Sequence, residues 1–269
     1  MIQVHQLTKH YGDNPVLRGI DLRIGAGEFV VVLGQSGAGK STLLRCMNRL
    51  ARADTGTLQV AGIDAMQGRD ERALRRQVAM IFQHHNVVPR LSVLKNVLTG
   101  RLGSVSTLMS LLQLFSRSDV ELATECLRRV ELAHKAGART DSLSGGQMQR
   151  VGIARALAQQ PRVILADEPV ASLDPNTARL VMQYLRDASR DLGITVVCNL
   201  HQVDLAREFG DRIVGLAHGR LVYDGDADGL DEAALQRIYP VAETAANDSA
   251  GERLAPQHYA IEHATGLGN

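Results

Sequence analysis

The stretch GQSGAGKS, from Gly34 to Ser41, constrains the fold of this chain more than any other part of the sequence. It matches the pattern G-x-x-x-x-G-K-[ST], directly after the apolar run EFVVVL (28–33) and directly before a helical pattern that continues through Arg49. In that context the glycines let the backbone curl so that its N–H groups point at phosphate oxygens, and the helix N-terminus adds partial positive charge. A glycine-rich turn is the alternative, but the context and the elements that follow favour a phosphate loop.

Each position of this loop has a predicted task. Lys40 would neutralise the phosphates, and the Ser41 hydroxyl would coordinate Mg²⁺. The predicted nucleotide-binding residues of the loop are Gly34, Gln35, Ser36, Gly37, Ala38, Gly39, Lys40, Ser41 and Thr42.

Carboxylates and a histidine follow two other apolar runs. VILADE (163–168) ends in Asp167, which would hold Mg²⁺ through water, and Glu168, which would orient the attacking water. His201 follows ITVVCN (194–199), where a parallel strand delivers a side chain to the ligand edge of a sheet. Alone, an Asp-Glu pair more often caps a helix, and a lone histidine is usually structural. With the phosphate loop present, we predict Lys40, Glu168 and His201 as catalytic, and Ser41, Asp167 and Gln83 as metal-binding.

Two predicted contacts stand on weaker signals. Tyr11 could stack on the adenine, although it could also be an ordinary half-buried tyrosine. Gln83 closes the strand-like run QVAMIF and offers a neutral amide that can reach a metal ion or water, which is a weak signal by itself.

The order of apolar runs predicts an α/β fold. RVILAD (162–167) and ITVVCN (194–199) are continuously apolar and separated by helical stretches, which indicates a parallel sheet covered on both faces. IQVHQL (2–7) and IDLRI (20–24) indicate a β-rich opening region, and RIVGLA and RLVYDG indicate a final hairpin through His218 and Gly219. We therefore predict a P-loop NTPase (RecA-like) core with an N-terminal antiparallel β region and an inserted helical subdomain.

The predicted domain boundaries follow from periodicity and composition. Residues 1–244 would form one ATP-binding domain, with the helical subdomain at about 86–160. Residues 245–269 are polar, small and aperiodic, which predicts a loosely attached and flexible tail.

Composition excludes several classes of function. The 30 Lys+Arg against 29 Asp+Glu give a formal charge of +1, and aromatic residues are 3% of the chain, so neither an electrostatic attraction for nucleic acid nor a base-stacking platform is indicated. The three cysteines are far apart and outside any CxxC spacing, which fits a reducing cytosol. No stretch approaches the roughly 20 apolar residues of a spanning helix. We expect a chain that is neither exported nor transmembrane.

The stretch LSGGQ, from Leu143 to Gln147, has the chemistry of a second phosphate site. Ser144 and Gln147 have the spacing of a capping box at the start of a helix. Gly145 and Gly146 are poor residues for a first helical turn, however, and they make sense if a phosphate comes close to bare backbone.

The full motif set resembles that of ABC-transporter ATPase subunits over about residues 1–240. The set comprises GQSGAGKS, FQ at 82–83, LSGGQ, ILADEP and SLDP, and then a histidine after a strand. The resemblance implies two ATPase subunits that meet head to tail, with each ATP clamped between the phosphate loop of one subunit and the signature loop of the other. It implies that Ser144, Gly145, Gly146 and Gln147 complete the partner's site. Asp174 of SLDP would lie across the dimer interface, although SLDP can also be a helix N-cap followed by proline.

Within that family, five stretches resemble the ATP-binding subunit of phosphonate importers: NVVPRLSVLKNVLTGRLG, LMSLLQLFSRSD, VILADEPVASLDP, LHQVDLA and LVYDG. This likeness implies ATP and Mg²⁺ as cofactors, membrane permease subunits as partners, an indirectly acting substrate-binding protein, and a peripheral position on the cytoplasmic face of the inner membrane. Phosphite or another reduced-phosphorus oxyanion is the alternative cargo. Gln35 departs from the pattern, because many relatives have proline there.

Three further interpretations concern partners and function. The apolar-basic segment 101–118 could be a core helix or a surface that presses on the permease. A soluble ABC ATPase acting on DNA or ribosomes is the alternative from another class, but such proteins usually join two ATPase units or carry long coiled-coil insertions. A regulatory module without hydrolysis is opposed by the intact set of Lys40, Asp167, Glu168 and His201.

Overall fold

The structure is a computed structural model that describes residues 1–83, 86–106, 109, 112 and 114–240. Its centre is a six-stranded sheet with the order β10-β9-β3-β8-β7-β6, parallel except for β10, which runs antiparallel to β9. These strands are β3 (Phe29–Leu33), β6 (Val78–Ile81), β7 (Val163–Asp167), β8 (Thr195–Asn199), β9 (Arg212–Ala217) and β10 (Arg220–Gly225). Every residue of β3, β7 and β8 is buried, as the continuous apolar runs predicted.

A second, antiparallel sheet with the order β2-β1-β4-β5 forms the opening part of the chain. Its strands are β1 (Ile2–Tyr11), β2 (Asn14–Ile24), β4 (Thr55–Val60) and β5 (Ile63–Asp64). The predicted β-rich opening region is confirmed. It shares a hydrophobic core with helix α1 (Lys40–Met47) and with Val30 and Val32 of the central sheet.

The two faces of β3 belong to different cores, because successive side chains of a strand point to opposite faces. Val30 and Val32 pack with α1 and the antiparallel sheet. Phe29, Val31 and Leu33 pack with the helices on the other face. β3, the strand that leads into the phosphate loop, is therefore packed on both faces.

The remaining helices cover the central sheet. They are α2 (Glu71–Gln77), α3 (Val93–Leu98), α4 (Arg117–Arg129), α5 (Gly145–Ala158), α6 (Pro175–Leu192), α7 (Val203–Phe209) and α8 (Glu232–Ile238). Of these, α3, α4 and α5 lie between β6 and β7, in the stretch for which helical periodicity was predicted.

The final hairpin forms as predicted, and its turn reaches the phosphate loop. His218 and Gly219 have φ angles of 49° and 75°, the left-handed pair that a tight hairpin turn requires. The Gly219 N–H donates to the carbonyl of Ala38 at 3.2 Å. A Cβ at Gly219 would meet the Val16 carbonyl oxygen at 2.4 Å, so only glycine fits this contact.

Part of the segment 101–118 and all of the predicted tail 245–269 lie outside the described residues. Of the apolar cluster in that segment, the described Met109, Leu112 and Leu114 are about half exposed. Within the described part of the chain, no helix has the length and hydropathy needed to cross a membrane.

Candidate nucleotide-binding site

The phosphate loop has the backbone that its glycines predict. Gly34 has a φ of 155°, and a Cβ there would meet the Leu216 carbonyl oxygen at 2.3 Å. Gly39 has a φ of 104°, and a Cβ there would meet the Val16 carbonyl oxygen at 2.9 Å. Side chains at these positions would push the loop away from β2 and β9, so the glycines set its shape.

Lys40 begins α1 and is folded back over the loop. Its Nζ donates to the carbonyl oxygens of Gly34 at 2.7 Å and Gln35 at 3.1 Å. Burial lowers the pKa of Lys40, while the negative charges of Glu168 and Asp167 act to raise it. An ammonium group held inside the loop in this way is placed to exchange carbonyl partners for phosphate oxygens.

Ser41 and Asp167 meet across the gap between α1 and β7. The Ser41 Oγ donates to Asp167 Oδ1 at 2.7 Å, and Asn199 Nδ2 donates to the same oxygen at 2.8 Å. The carboxylate is only 5% exposed, and Arg45 lies 3.9 Å from its other oxygen. These contacts fix the orientation of Asp167.

Glu168 and His201 form a second pair at the same edge of the sheet. Glu168 follows β7 with a φ of 52°, which is unusual for a residue with a side chain. His201 Nε2 lies 2.6 Å from Glu168 Oε1, and because an ionised carboxylate only accepts, this ring nitrogen carries the proton of the hydrogen bond. The backbone conformation of Glu168 and its contact with His201 bring both side chains together at this edge of the sheet.

The predicted residues Ser41, Asp167, Glu168 and His201 therefore come together, whereas Tyr11 and Gln83 are exposed. Tyr11 ends β1 with its side chain half exposed, and the Lys9 ammonium lies 5.1 Å from the centre of its ring. Gln83 is exposed just beyond β6. Their contacts with a nucleotide stay predictions.

The signature stretch begins α5 as a capping box. Ser144 Oγ accepts from the Gln147 N–H at 3.3 Å, and Gln147 Oε1 accepts from the Ser144 N–H at 3.2 Å. Asp174 caps α6 in the same manner, accepting from the Thr177 N–H at 3.0 Å, with Pro175 as the first helical residue. The N-cap interpretations of both motifs are confirmed.

The two capped helices open into one cleft of about 320 Å³. Its lining includes Ser144, Gly145, Gly146, Gln147 and Asp174. The structure thus brings together the residues that the resemblance assigned to a partner's site, and the lining contains no residue of the phosphate loop.

Gly146 has a packing role that the sequence reasoning missed. A Cβ at this position would meet Thr177 Cγ2 at 2.5 Å. The residue is therefore required by the close approach of α5 and α6, whether or not a phosphate also comes near its backbone. Glycine at a helix crossing is a signal for close packing, but the sequence does not show which helix is the neighbour.

Asn199 is the other functional candidate that was missed. It is fully buried at the end of β8, donates to Asp167, and its Oδ1 is a buried atom without a hydrogen-bond partner in the structure. A polar residue at the end of a uniformly apolar strand, two positions before His201, was the available signal.

The comparisons with known proteins define the class. A family model described as ABC transporter matches residues 17–171. The chain belongs to the ABC transporter family. Two of its curated relatives, from Oceanobacillus iheyensis and Thiobacillus denitrificans, are phosphonates import ATP-binding proteins named PhnC 2 and PhnC. The Oceanobacillus iheyensis protein is 48% identical, over 89% of this chain and 95% of that relative. The Thiobacillus denitrificans protein is 53% identical, over 88% of this chain and 92% of that relative.

Solved structures confirm the predicted fold class. An ATP-binding cassette in a dimeric post-hydrolysis state bound to ADP and Pi matches with a TM-score of 0.72 and 33% identity, over 85% of this chain and all of the cassette. The cbiO1 protein of Clostridium perfringens, part of the ABC transporter complex cbiONQ, matches with a TM-score of 0.76 and 26% identity, over 88% and 92% of the two chains.

Proposed function

We propose that this chain is the ATP-hydrolysing subunit of an ABC importer that takes up phosphonates through a membrane permease. The observation that carries the ATPase assignment is the meeting of Ser41 with Asp167 and of Glu168 with His201 beside the phosphate loop. The names of the relatives support phosphonate as the transported substrate.

The metal-binding groups fit Mg²⁺. Mg²⁺ prefers hard oxygen ligands and is usually held by one or two carboxylates together with substrate phosphates and water. Ser41 Oγ and Asp167 Oδ1 are such ligands, 2.7 Å apart, and the buried Oδ1 of Asn199 could accept from a water molecule beside them. Bound Mg²⁺ would neutralise charge on the phosphates, while Gln83 could approach from the helical side.

The chain's own side chains would divide the hydrolysis between them. Lys40 would leave the loop carbonyls and bind phosphate oxygens as their negative charge increases. Glu168 would orient the attacking water and accept its proton, and the Nε2–H of His201 would exchange its hydrogen bond with Glu168 for one to the γ-phosphate. Since Nε2 of His201 and Oε1 of Glu168 lie 2.6 Å apart, both side chains can reach the same water molecule after that exchange.

The second half of each site would come from another copy of this chain. Ser144, Gly145, Gly146 and Gln147 present a helix N-terminus, which favours anions, in a cleft that also holds Asp174. We propose a head-to-tail homodimer in which this cleft faces the phosphate loop of the partner and closes over ATP.

Hollows beside the sheet offer a surface for the permease. A groove of about 760 Å³ between α2 and α5 is lined by Arg72, Arg75, Arg76 and Arg155, with Glu71 as the acidic side chain, so an acidic permease segment would fit it by charge. It shares Thr99 with a hollow of about 500 Å³ lined mainly by apolar residues that include the exposed Leu112 and Leu114. This supports the surface interpretation of segment 101–118.

The domain and location proposals complete the assignment. Residues 1–244 would form the ATP-binding domain, with residues 86–160 as its helical subdomain. The subunit would lie on the cytoplasmic face of the inner membrane, bound to permease subunits that receive cargo from a substrate-binding protein.

Uptake of labelled phosphonate by cells with and without this chain tests the proposal. We expect uptake to require the chain, to be lost with Glu168→Gln, and to be competed by unlabelled phosphonate more strongly than by phosphite or phosphate. Stronger competition by phosphite would transfer the assignment to reduced-phosphorus oxyanions. Phosphonate uptake that is unchanged without the chain would contradict the transport role.

A further inference from the structure

The end of α8 contacts the phosphate loop and the loop that carries His201. Gln35 Nε2 donates to the carbonyl oxygen of Pro240 at 2.9 Å. The hydroxyl of Tyr239 lies 3.5 Å from the carbonyl oxygen of His201. Burial raises the pKa of Tyr239, and a hydrogen bond with the backbone of Gly34 opposes that rise. Two consecutive residues thus touch both loops.

The helix is anchored directly beneath these contacts. Ile238 is fully buried, and a Cβ at Gly215 would meet Ile238 Cγ1 at 2.4 Å. Gly215 is the cross-strand partner of Leu33, the residue that immediately precedes the phosphate loop. Because Gly215 has no side chain, α8 can pack against β9, the strand that pairs with β3. This packing fixes the positions of Tyr239 and Pro240 relative to β3.

We propose that Tyr239 and Pro240 form a C-terminal clasp that holds the phosphate loop in register with His201, with Tyr239 as a positioning residue for ATP hydrolysis. This inference rests on the proposed function, because the spacing between the loop and His201 matters when the γ-phosphate is cleaved. The Tyr239 hydroxyl can accept from the N–H of Gly34 and donate to the carbonyl of His201, which makes it a bridge between the two.

The geometry indicates what the clasp does. A separation of 3.5 Å is long for an O–H···O hydrogen bond. Catalytic contacts are often loose without substrate and tighten in the reacting complex, so the bridge would contribute most when His201 engages the γ-phosphate. Nucleotide binding to the phosphate loop needs no movement of His201. The clasp should therefore affect turnover more than affinity.

Gln35 supplies the other arm of the clasp. Its side-chain amide is the group that reaches the Pro240 carbonyl oxygen, at 2.9 Å. Gln35 belongs both to the predicted nucleotide-binding loop and to the clasp.

The decisive variant is Tyr239→Phe, which removes the hydroxyl and keeps the ring that packs against the core. We expect kcat for ATP to fall about threefold to tenfold, with KM within twofold, because a single positioning hydrogen bond is lost. Tyr223→Phe is the matched control, since the Tyr223 hydroxyl donates to the Asp226 carbonyl at 2.6 Å in the adjacent hairpin. It should keep kcat within twofold.

Hydrogen exchange of the full chain separates this inference from the ATPase assignment, because it needs no hydrolysis. In Tyr239→Phe the backbone amides of 34–37 and 201–203 should exchange faster, whereas Gln35→Leu should affect only the phosphate loop. Unchanged exchange in both segments of Tyr239→Phe would overturn the clasp whatever the ATPase rate. If Tyr239→Phe shows the exchange effect while the wild-type protein shows no Mg²⁺-dependent hydrolysis, the clasp is retained and the proposed function is removed.

Discussion

The phosphate-loop region and the signature region both present a helix N-terminus, yet they are built differently. In the first region polar side chains hydrogen-bond to one another, as in the contacts of Ser41 with Asp167 and of His201 with Glu168. In the second region, the side chains of Ser144, Gln147 and Asp174 accept hydrogen bonds from backbone N–H groups at the N-termini of α5 and α6. All three residues border an open cleft. One region brings two hydrogen-bonded pairs together beside the phosphate loop, and the other presents two capped helix ends at a cleft.

This difference fits the proposal that one chain carries two phosphate-binding motifs and one set of catalytic groups. The carboxylate in the lining of the signature cleft, Asp174, caps α6, and the lining contains no residue of the phosphate loop. Under the proposal, the signature region would complete a site whose catalytic half lies on another copy. The comparison therefore predicts that lesions in the two regions have different consequences.

The largest effect is expected for Glu168→Gln. The amide keeps the shape of the side chain but cannot take a proton from water, so kcat should fall by about 10²–10⁴ while ATP still binds. ATP should then trap a dimer, measured by light scattering with labelled nucleotide. Hydrolysis at the wild-type rate would remove Glu168 from its assigned role.

Mixed dimers test the division between the two regions. If one copy carries Lys40→Ala and the other Ser144→Ala, one composite site collects both lesions and the other is intact. We expect such dimers, on a Glu168→Gln background, to occlude about one ATP. Dimers with both changes in the same copy should occlude less, because each site is then damaged. Equal occlusion in the two arrangements would rule out shared sites.

The close packing of Gly146 against Thr177 provides the next test. Gly146→Ala would place a methyl group against Thr177 Cγ2, and overpacking of this kind costs about 1–3 kcal/mol. We expect Tm to fall by several degrees, measured by thermal unfolding. Thr177→Ser removes the clashing methyl and keeps the backbone N–H that donates to the capping side chain of Asp174, so the double variant should recover most of the loss. A double variant that unfolds as early as Gly146→Ala would show that the strain lies elsewhere.

The sequence predicted contacts within one segment better than contacts between distant segments, for a physical reason. The capping box of Ser144 and Gln147 and the strand, glycine loop and helix around Lys40 follow from local order. The packing of Gly146 on Thr177, the bond from Asn199 to Asp167 and the contact of Gln35 with Pro240 join residues that are distant along the chain. Such contacts depend on how elements cross, which a single sequence does not specify.

The smallest effect concerns acid stability and compares two carboxylates, Asp54 beside the antiparallel sheet and Asp174 of the signature region. Asp54 binds Lys9 and the backbone of His10, hydrogen bonds that lower its pKa to about 2 from a usual 3.8. Asp174 has its pKa lowered by hydrogen bonds with Thr177. A carboxylate with a depressed folded-state pKa contributes stability above the unfolded-state pKa and loses it as the pH falls toward the folded-state value.

Urea unfolding between pH 5 and pH 2.5 measures this difference. Wild-type stability should fall as the pH drops from about 3.8 toward about 2, and Asp54→Asn should remove part of that fall because it removes the titrating group. Asp174→Asn, in which asparagine can still cap the helix, should change the slope less. Both groups are exposed, so the differences will be small and reduced by salt. An identical slope in wild type and Asp54→Asn would show that the hydrogen bonds of Asp54 with Lys9 and His10 contribute no measurable stability.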